Sequence, residues 1–224
     1  MAYFFGAGNN DVINMAGIGS APTFSVFARF ALTQAVAASR CFAMIEDLSV
    51  YGLLFKTAAS GSQRMAMAFT FSGGLSNVVR WDSGFTAGTI HTLAGTYDGA
   101  TLSLYADVDA TAKATVAETH TPILNGSQAF LIGNDLLSPG DSADATIYEI
   151  AWWPSTVLTG AQCAQLGGGD ATGIPLPGNY WDLIADPGDL FGGHNGVVTG
   201  AIVAPHSGKN LWPLGSAAKQ RGEQ

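Results

Sequence analysis

Cleaving a glycosidic bond takes two carboxyl groups placed across that bond, one acting as acid and the other as base or nucleophile. The run ATIYEIAWWP at 145–154 carries one carboxylate, Glu149, with no acid at the alternate positions of the strand it would form. Glu149 is therefore read as a partner for a loop or strand-edge donor. His91, His120, His194 and His206 are scattered, and no Gly-x-Ser-x-Gly segment offers a serine at a strand-to-helix elbow. His91 is read as a packed or solvent-edge residue, and the chain is expected not to be an enzyme.

Two further chemistries have candidate residues. Oxygen-rich loops supply six to eight ligands to calcium, and the acids placed for that are Asp107, Asp109, Asp135, Asp141 and Asp144. They lack EF-hand spacing, and the competing reading is of solvated loop acids. Sugar rings stack on exposed aromatic faces, and the platforms available are Trp81 (next to Asp82), Tyr105, Tyr148 and Trp152. Each of these four serves equally well in a core or a subunit contact. Cys41 and Cys163 have no partners at metal-ligand spacing and are expected to be buried free thiols.

The elements that must position these residues are strands. The chain has 224 residues, 29 of them glycine, and glutamate and lysine are scarce, a composition suited to many short strands joined by tight turns. Hydrophobic residues make up 47% and charged residues 12%, enough apolar mass for one large core. The low charge also leaves apolar surface for contacts between subunits, so a homo-oligomer is expected. The formal net charge of -8 repels a phosphate backbone, which excludes nucleic acid as a partner. No run is long enough to span a bilayer, and no secretory signal is visible at the start of the sequence.

Phe24, Val26, Ala28 and Phe30 share one phase, predicting a strand over 23–32. Three further runs, 42–45, 50–56 and 65–71, follow, and Met65, Met67, Phe69 and Phe71 alternate as core residues would. The clearest local signal is the hairpin over 91–108: Asp98-Gly99 marks the turn, Leu102, Leu104, Ala106 and Val108 face inward, and Thr101, Ser103, Tyr105 and Asp107 face water. A strand at 130–134 and another at 145–153 come next. In the latter, Ile147 and Ile150 fall in opposite phases, so it is either buried on both faces or interrupted by a bulge. Thr159-Gly160-Ala161-Gln162 is a capping box that opens one short helix, which the glycines from Gly167 close. The segment 173–178 is a connection within one sandwich, and strand-like runs follow at 180–183 and 197–198. Residues 1–204 form the domain and 205–224 an extended C-terminal arm.

Several of these pieces, in this order, resemble the laminin G-like branch of the concanavalin A-like lectin/glucanase superfamily. IHTLAGTYDGATLSLYADV resembles its His-containing strand, Thr-Tyr-Asp-Gly turn and alternating strand; FLIGND resembles its Ile-Gly-Asn strand; and ATIYEIAWWPSTVLTGAQCAQL resembles its Glu-containing strand and capped helix. FFGAGNNDVINM and NYWDLIADPGDLFGGHNGVVTGA match more weakly, the latter standing at the opposite end from its usual place. Tyr148 replaces an acid usual in the family, and the hydrolase branch's two glutamates and an aspartate on one strand are missing here.

The resemblance implies an all-β fold, an antiparallel β-sandwich of the jelly-roll type with one short α-helix. No cofactor is expected; relatives in the superfamily use calcium, which makes it the one candidate. With low charge and an arm, the chain resembles a tailed-bacteriophage virion protein, such as a capsid decoration, head-fibre or tail-fibre component. On that reading its place is the virion, and its partners are its own copies, other virion proteins and a cell-surface glycan held weakly. The alternative is a cellular or secreted, extracellular carbohydrate-binding module.

Overall fold

The computed structural model describes residues 2–5, 11–15, 21–33, 40–47, 50–58, 64–71, 75–82, 85–122, 129–134, 143–183, 191, 193, 195–204 and 211; over 40–76 it describes backbone pairing alone. The strands are β1 (Ala2–Phe5), β2 (Val12–Met15), β3 (Phe24–Leu32), β4 (Arg40–Asp47), β5 (Val50–Ala58), β6 (Arg64–Phe71), β7 (Leu75–Asp82) and β8 (Ile90–Tyr97). They continue as β9 (Thr101–Ala106), β10 (Ala114–Ala117), β11 (Ala129–Ile132), β12 (Ala145–Pro154), β13 (Asn179–Trp181), β14 (Val197–Thr199) and β15 (Ile202–Ala204). One helix, α1 (Gly160–Gly167), lies between β12 and β13. The first sheet runs β10-β9-β8-β3-β12-β1-β15, with β13 also beside β12, and the second runs β14-β2-β11-β4-β5-β6-β7. Every described pairing is antiparallel, and the architecture is a jelly-roll sandwich.

Side-chain alternation explains the interior. Phe24, Val26, Ala28 and Phe30 of β3, Leu102 and Leu104 of β9, and Ile150 and Trp152 of β12 meet Ile13, Val79, Phe130 and Ile132 of the second sheet in one core. Trp152 stacks on Phe24 at 5.2 Å, and Trp181 on Phe130 at 4.8 Å. Between the sheets, the left-handed Gly133 (φ 90°) lies so close to the Phe5 ring that a Cβ there would overlap it. Only glycine combines that backbone conformation with that approach.

The first sheet is buried on its outer face too. Phe27, Ala94, Ala151, Trp153 and Tyr180 lie there under Leu158, Cys163 and Leu166 of the α1 region, with Ile174 and Leu211. Trp153 Nε1 donates to the Pro175 carbonyl at 2.8 Å, which ties the 173–178 connection down within the sandwich.

The expected helix is present with its capping box: Gln162 N donates to Thr159 Oγ1, and Thr159 N donates to Gln162 Oε1. Gly169 (φ 81°) ends it in a Schellman motif, with Gly169 N bonded to Leu166 O and Asp170 N to Gln165 O.

Three sequence expectations are refined. The outward face of the hairpin is half-buried, because α1 packs beside it: Gly160 approaches Tyr105, and Gly167 approaches the Asp107 carbonyl. Gly99 has φ 95°, but Asp98 acts through its side chain, which accepts the N–H groups of Ala100 and Thr101. In β12 both alternatives hold, since the pairing with β3 shifts between Ile147 and Glu149 and both faces are buried.

Leu211 falls in the segment expected to be an arm, yet it is buried on the outer face. The remainder of 205–224 lies outside the described residues, as do the side chains of Cys41, Met65, Met67, Phe69 and Phe71.

Candidate functional site

At one end of the sandwich β3 and β9 finish while β8 and β12 begin, as the pairs Phe30 with His91, Leu93 with Ala106 and Leu32 with Ala145 require. The end of β7 brings Trp81 to the same place. Trp81 meets Phe85 edge-on at 5.3 Å, and Phe85 stacks on His91 at 4.2 Å. His91 Nε2 accepts the Thr86 N–H at 3.2 Å, so Nδ1 carries the proton and donates to Asp107 Oδ2 at 3.2 Å. The other Asp107 oxygen accepts the Thr92 N–H at 2.9 Å.

On the β9–β10 turn, Lys113 Nζ donates to Asp109 Oδ2 at 2.6 Å and stands 5.5 Å from the centre of the Trp81 ring. The Lys113 bond, with the Thr111 N–H, holds the Asp109 carboxyl below the usual carboxylate range. The side chains of Asp107 and Asp109 are 45% and 44% exposed. The result is a mixed rim of aromatic edge, carboxylates and one ammonium, able to exchange hydrogen bonds with a polyhydroxylated ligand.

The five calcium candidates do not gather. All four carboxylate oxygens of Asp107 and Asp109 accept hydrogen bonds within the protein, and Lys113 places a positive charge where a cation would sit. Asp144 is on the same rim, but three strands from Asp107, about 14 Å by strand spacing, and its carboxylate engages the Thr33 hydroxyl. Asp135 and Asp141 lie outside the described residues. Among the described residues no three His, Cys, Asp or Glu side chains are grouped to hold a metal ion.

The four aromatic candidates are also separated. Trp152 is 0% exposed in the core, which corrects its reading as a surface platform: the β12 bulge turns it inward. Tyr148 is that bulge's extra residue and is buried. Tyr105 is half-buried beside α1, so Trp81, itself half-buried, is the one of the four at the rim.

Sequence reasoning missed Lys113 and Phe85, whose role depends on loops folding back. It also missed Arg29, although Arg29 stands conspicuously in the outward phase of β3 with Ser25 and Phe27. Arg29 lies directly across from Glu149, its Nη1 3.4 Å from Glu149 Oε1, and its Nη2 donates to the Leu166 carbonyl at 3.3 Å. Leu211 N also donates to Glu149 Oε1, at 3.2 Å. Glu149 is thus bound to a strand neighbour and a loop amide, the kind of role the sequence pointed to. Burial pushes its carboxyl up to about 7 against the opposing pull of Arg29. Cys163 is a buried free thiol pushed up to about 12 by burial.

With this geometry in hand, the chain can be compared with known proteins. A laminin G-type family model, described as the Concanavalin A-like lectin/glucanases superfamily, matches residues 7–164, more than half of the sequence. The chain belongs to that superfamily. No curated protein matches it. Among solved structures, the fold is similar to the heptameric SAP-like pentraxin of Limulus polyphemus (TM-score 0.64, 11% identity, covering 89% of this chain and 92% of that one). It is similar to a putative carbohydrate binding protein of Bacteroides ovatus (TM-score 0.64, 15% identity, 90% of this chain and 60% of that one). It is also similar to the enzymatically active domain of bacteriophage CBA120 tailspike protein 2 (TM-score 0.54, 12% identity, 73% of this chain and 27% of that one). At these identities the likeness is one of fold.

Proposed function

We propose that the protein is a non-catalytic, adhesive glycan-binding module whose ligand lies on the rim formed by Trp81, His91, Asp107, Asp109 and Lys113. The observation that carries this reading is the joining, at one end of the sandwich, of an aromatic edge to two nearly half-exposed carboxylates and a lysine. The superfamily and the similarity to a putative carbohydrate binding protein support it. The test is a glycan array on the full chain, with and without EDTA, followed by calorimetry on the best ligand. Selective binding at millimolar affinity or better is expected, EDTA-insensitive if the rim alone holds the ligand. Asp109→Asn and Lys113→Gln should weaken it about tenfold, the loss of one hydrogen bond to a charged group. An array with no selective ligand overturns the reading.

A second reading, favoured by the fold shared with a phage tailspike domain and by valines exposed on two sheet edges, places this module in a virion assembly. Val197 stands on β14 and Val203 on β15, one edge strand of each sheet among the described residues. Mass measurement in solution decides it. A trimer or larger complex supports assembly, and a monomer at high concentration removes that support.

A further inference from the structure

Along β9, period two points Leu102, Leu104 and Ala106 into the core and would send Val108 after them. Val108 is instead 69% exposed. The cause is the turn that follows β9. Asp107 takes a left-handed backbone (φ 52°), uncommon for a residue with a side chain, and Asp109 N donates to the Ala106 carbonyl at 3.3 Å. That turn ends the alternation and sets Val108 in the chain between Asp107 and Asp109, the two carboxylates of the rim.

A lone exposed valine is ordinary, but this one cannot fold away. Asp107 N is bonded to the Thr92 carbonyl at 3.0 Å, and the Asp107 carboxylate accepts the Thr92 N–H and the His91 Nδ1–H. Asp109 is held by the Thr111 N–H and by Lys113. Behind the turn lies the end of α1: a Cβ on Gly167 would overlap the Asp107 carbonyl, and one on Gly168 would stand 3.9 Å from Val108 Cγ1. Both chain neighbours of Val108 are thus anchored. A side chain already fixed in place contacts a ligand at little entropic cost.

The acids on either side define what such a ligand carries. A carboxylate has about four acceptor positions, and Asp107 fills two of them within the protein, leaving the others for sugar hydroxyls. Among the described residues its one ionisable partner is His91, neutral in this tautomer, so an acidic sugar would meet an uncompensated negative charge. The valine offers apolar contact alone. A neutral sugar with a methyl substituent beside its hydroxyls matches both.

We propose that Val108 is the specificity-determining residue of the rim, its side chain packing on a methyl group of a neutral sugar whose hydroxyls donate to Asp107 and Asp109. The inference rests on reading the rim as a glycan site. Two kinds of sugar carry such a methyl, 6-deoxyhexoses and N-acetylhexosamines.

The experiment is an NMR titration of the full chain with paired sugars: L-fucose against L-galactose, which differ by the 6-hydroxyl, and N-acetylglucosamine against glucose, with glucuronate as the acidic probe. In at least one pair the methyl-bearing sugar should bind about fourfold more tightly, the worth of burying one methyl-sized group. The pair that shows it identifies the source of the methyl. In Val108→Ala that ratio should fall to about one while the parent sugar keeps its affinity. Asp109→Asn should weaken both members of the pair alike. Equal affinities within both pairs overturn the proposal, as does a ratio that survives Val108→Ala, or glucuronate binding more tightly than glucose. Those results leave the rim reading standing wherever a sugar binds and Asp109→Asn weakens it. If none of the sugars binds, the proposal is overturned and the glycan array alone judges the rim.

Discussion

Replacing Gly133 with alanine tests the claim that the Ile-Gly-Asn strand end is shaped by the close approach of the two sheets. Two costs act together. Alanine at φ 90° has its Cβ against its own carbonyl, worth about 1–2 kcal/mol. That Cβ also falls within the van der Waals envelope of the Phe5 ring, which is 0% exposed and locked in the core, so it cannot swing aside. Overpacking of this kind costs about 1–3 kcal/mol. The sum, about 2–5 kcal/mol, lowers the melting temperature by roughly 4–20 °C for a domain of this size. The terms separate in a double-mutant cycle with Phe5→Ala, which removes the ring atoms that are struck and alone costs about 3–5 kcal/mol. Gly133→Ala with Phe5→Ala should be more stable than the sum of the single changes by about 1–3 kcal/mol, while the backbone cost stays. Denaturant melts of all four proteins measure this. If the two substitutions add within about 0.5 kcal/mol, the sheets do not meet as described and the reasoning fails.

Two further outcomes are expected. At pH 8 a thiol reagent should leave Cys163 unlabelled in the native protein and label it fully in denaturant, because burial keeps it protonated and out of reach; peptide mapping distinguishes it from Cys41, and native labelling at Cys163 would contradict its place under α1. Thr159→Ala removes the oxygen that accepts the Gln162 N–H and should cost about 0.5–2 kcal/mol, with Thr159→Ser recovering most of it. No loss in a thermal melt would mean that the cap is ornamental.

Local features were legible where one short stretch contains both cause and effect. The hairpin at Asp98-Gly99, the capping box at Thr159 and the alternating strand from Phe24 follow from turn chemistry and period two. β7 was overlooked although Leu75, Asn77, Val79 and Trp81 alternate, because Asn77 interrupts the apolar phase. Its side chain instead reaches Glu118 of the facing sheet at 3.2 Å. The outward face of β9 reads as wet because small polar residues suit either water or a helix laid across them. Nothing local to β9 announces that Gly160 and Gly167 are small enough to let α1 settle there. The rim was half visible for the same reason: Trp81, Asp107 and Asp109 stand out by type, but their union depends on Phe85 and Lys113 arriving from separate loops.

The bulge at Tyr148 decides what Glu149 does. Ala145 and Ile147 point into the core, so unbroken alternation would send Glu149, Ala151 and Trp153 inward and leave Ile150 and Trp152 outside. That register would set a carboxylate opposite Ile13, Phe130 and Ile132, where an uncompensated charge is prohibitively costly. One extra residue reverses the phase: Ile150 and Trp152 enter the core, and Glu149 comes out beside Arg29, which the uninterrupted alternation of β3 has already placed on that face. Each residue thereby finds its partner across one strand pair. The same insertion explains why two isoleucines three apart are both buried and why the aromatic ring at 152 is unavailable to a sugar. It also places the buried carboxyl of Glu149 beside Leu211, away from the rim.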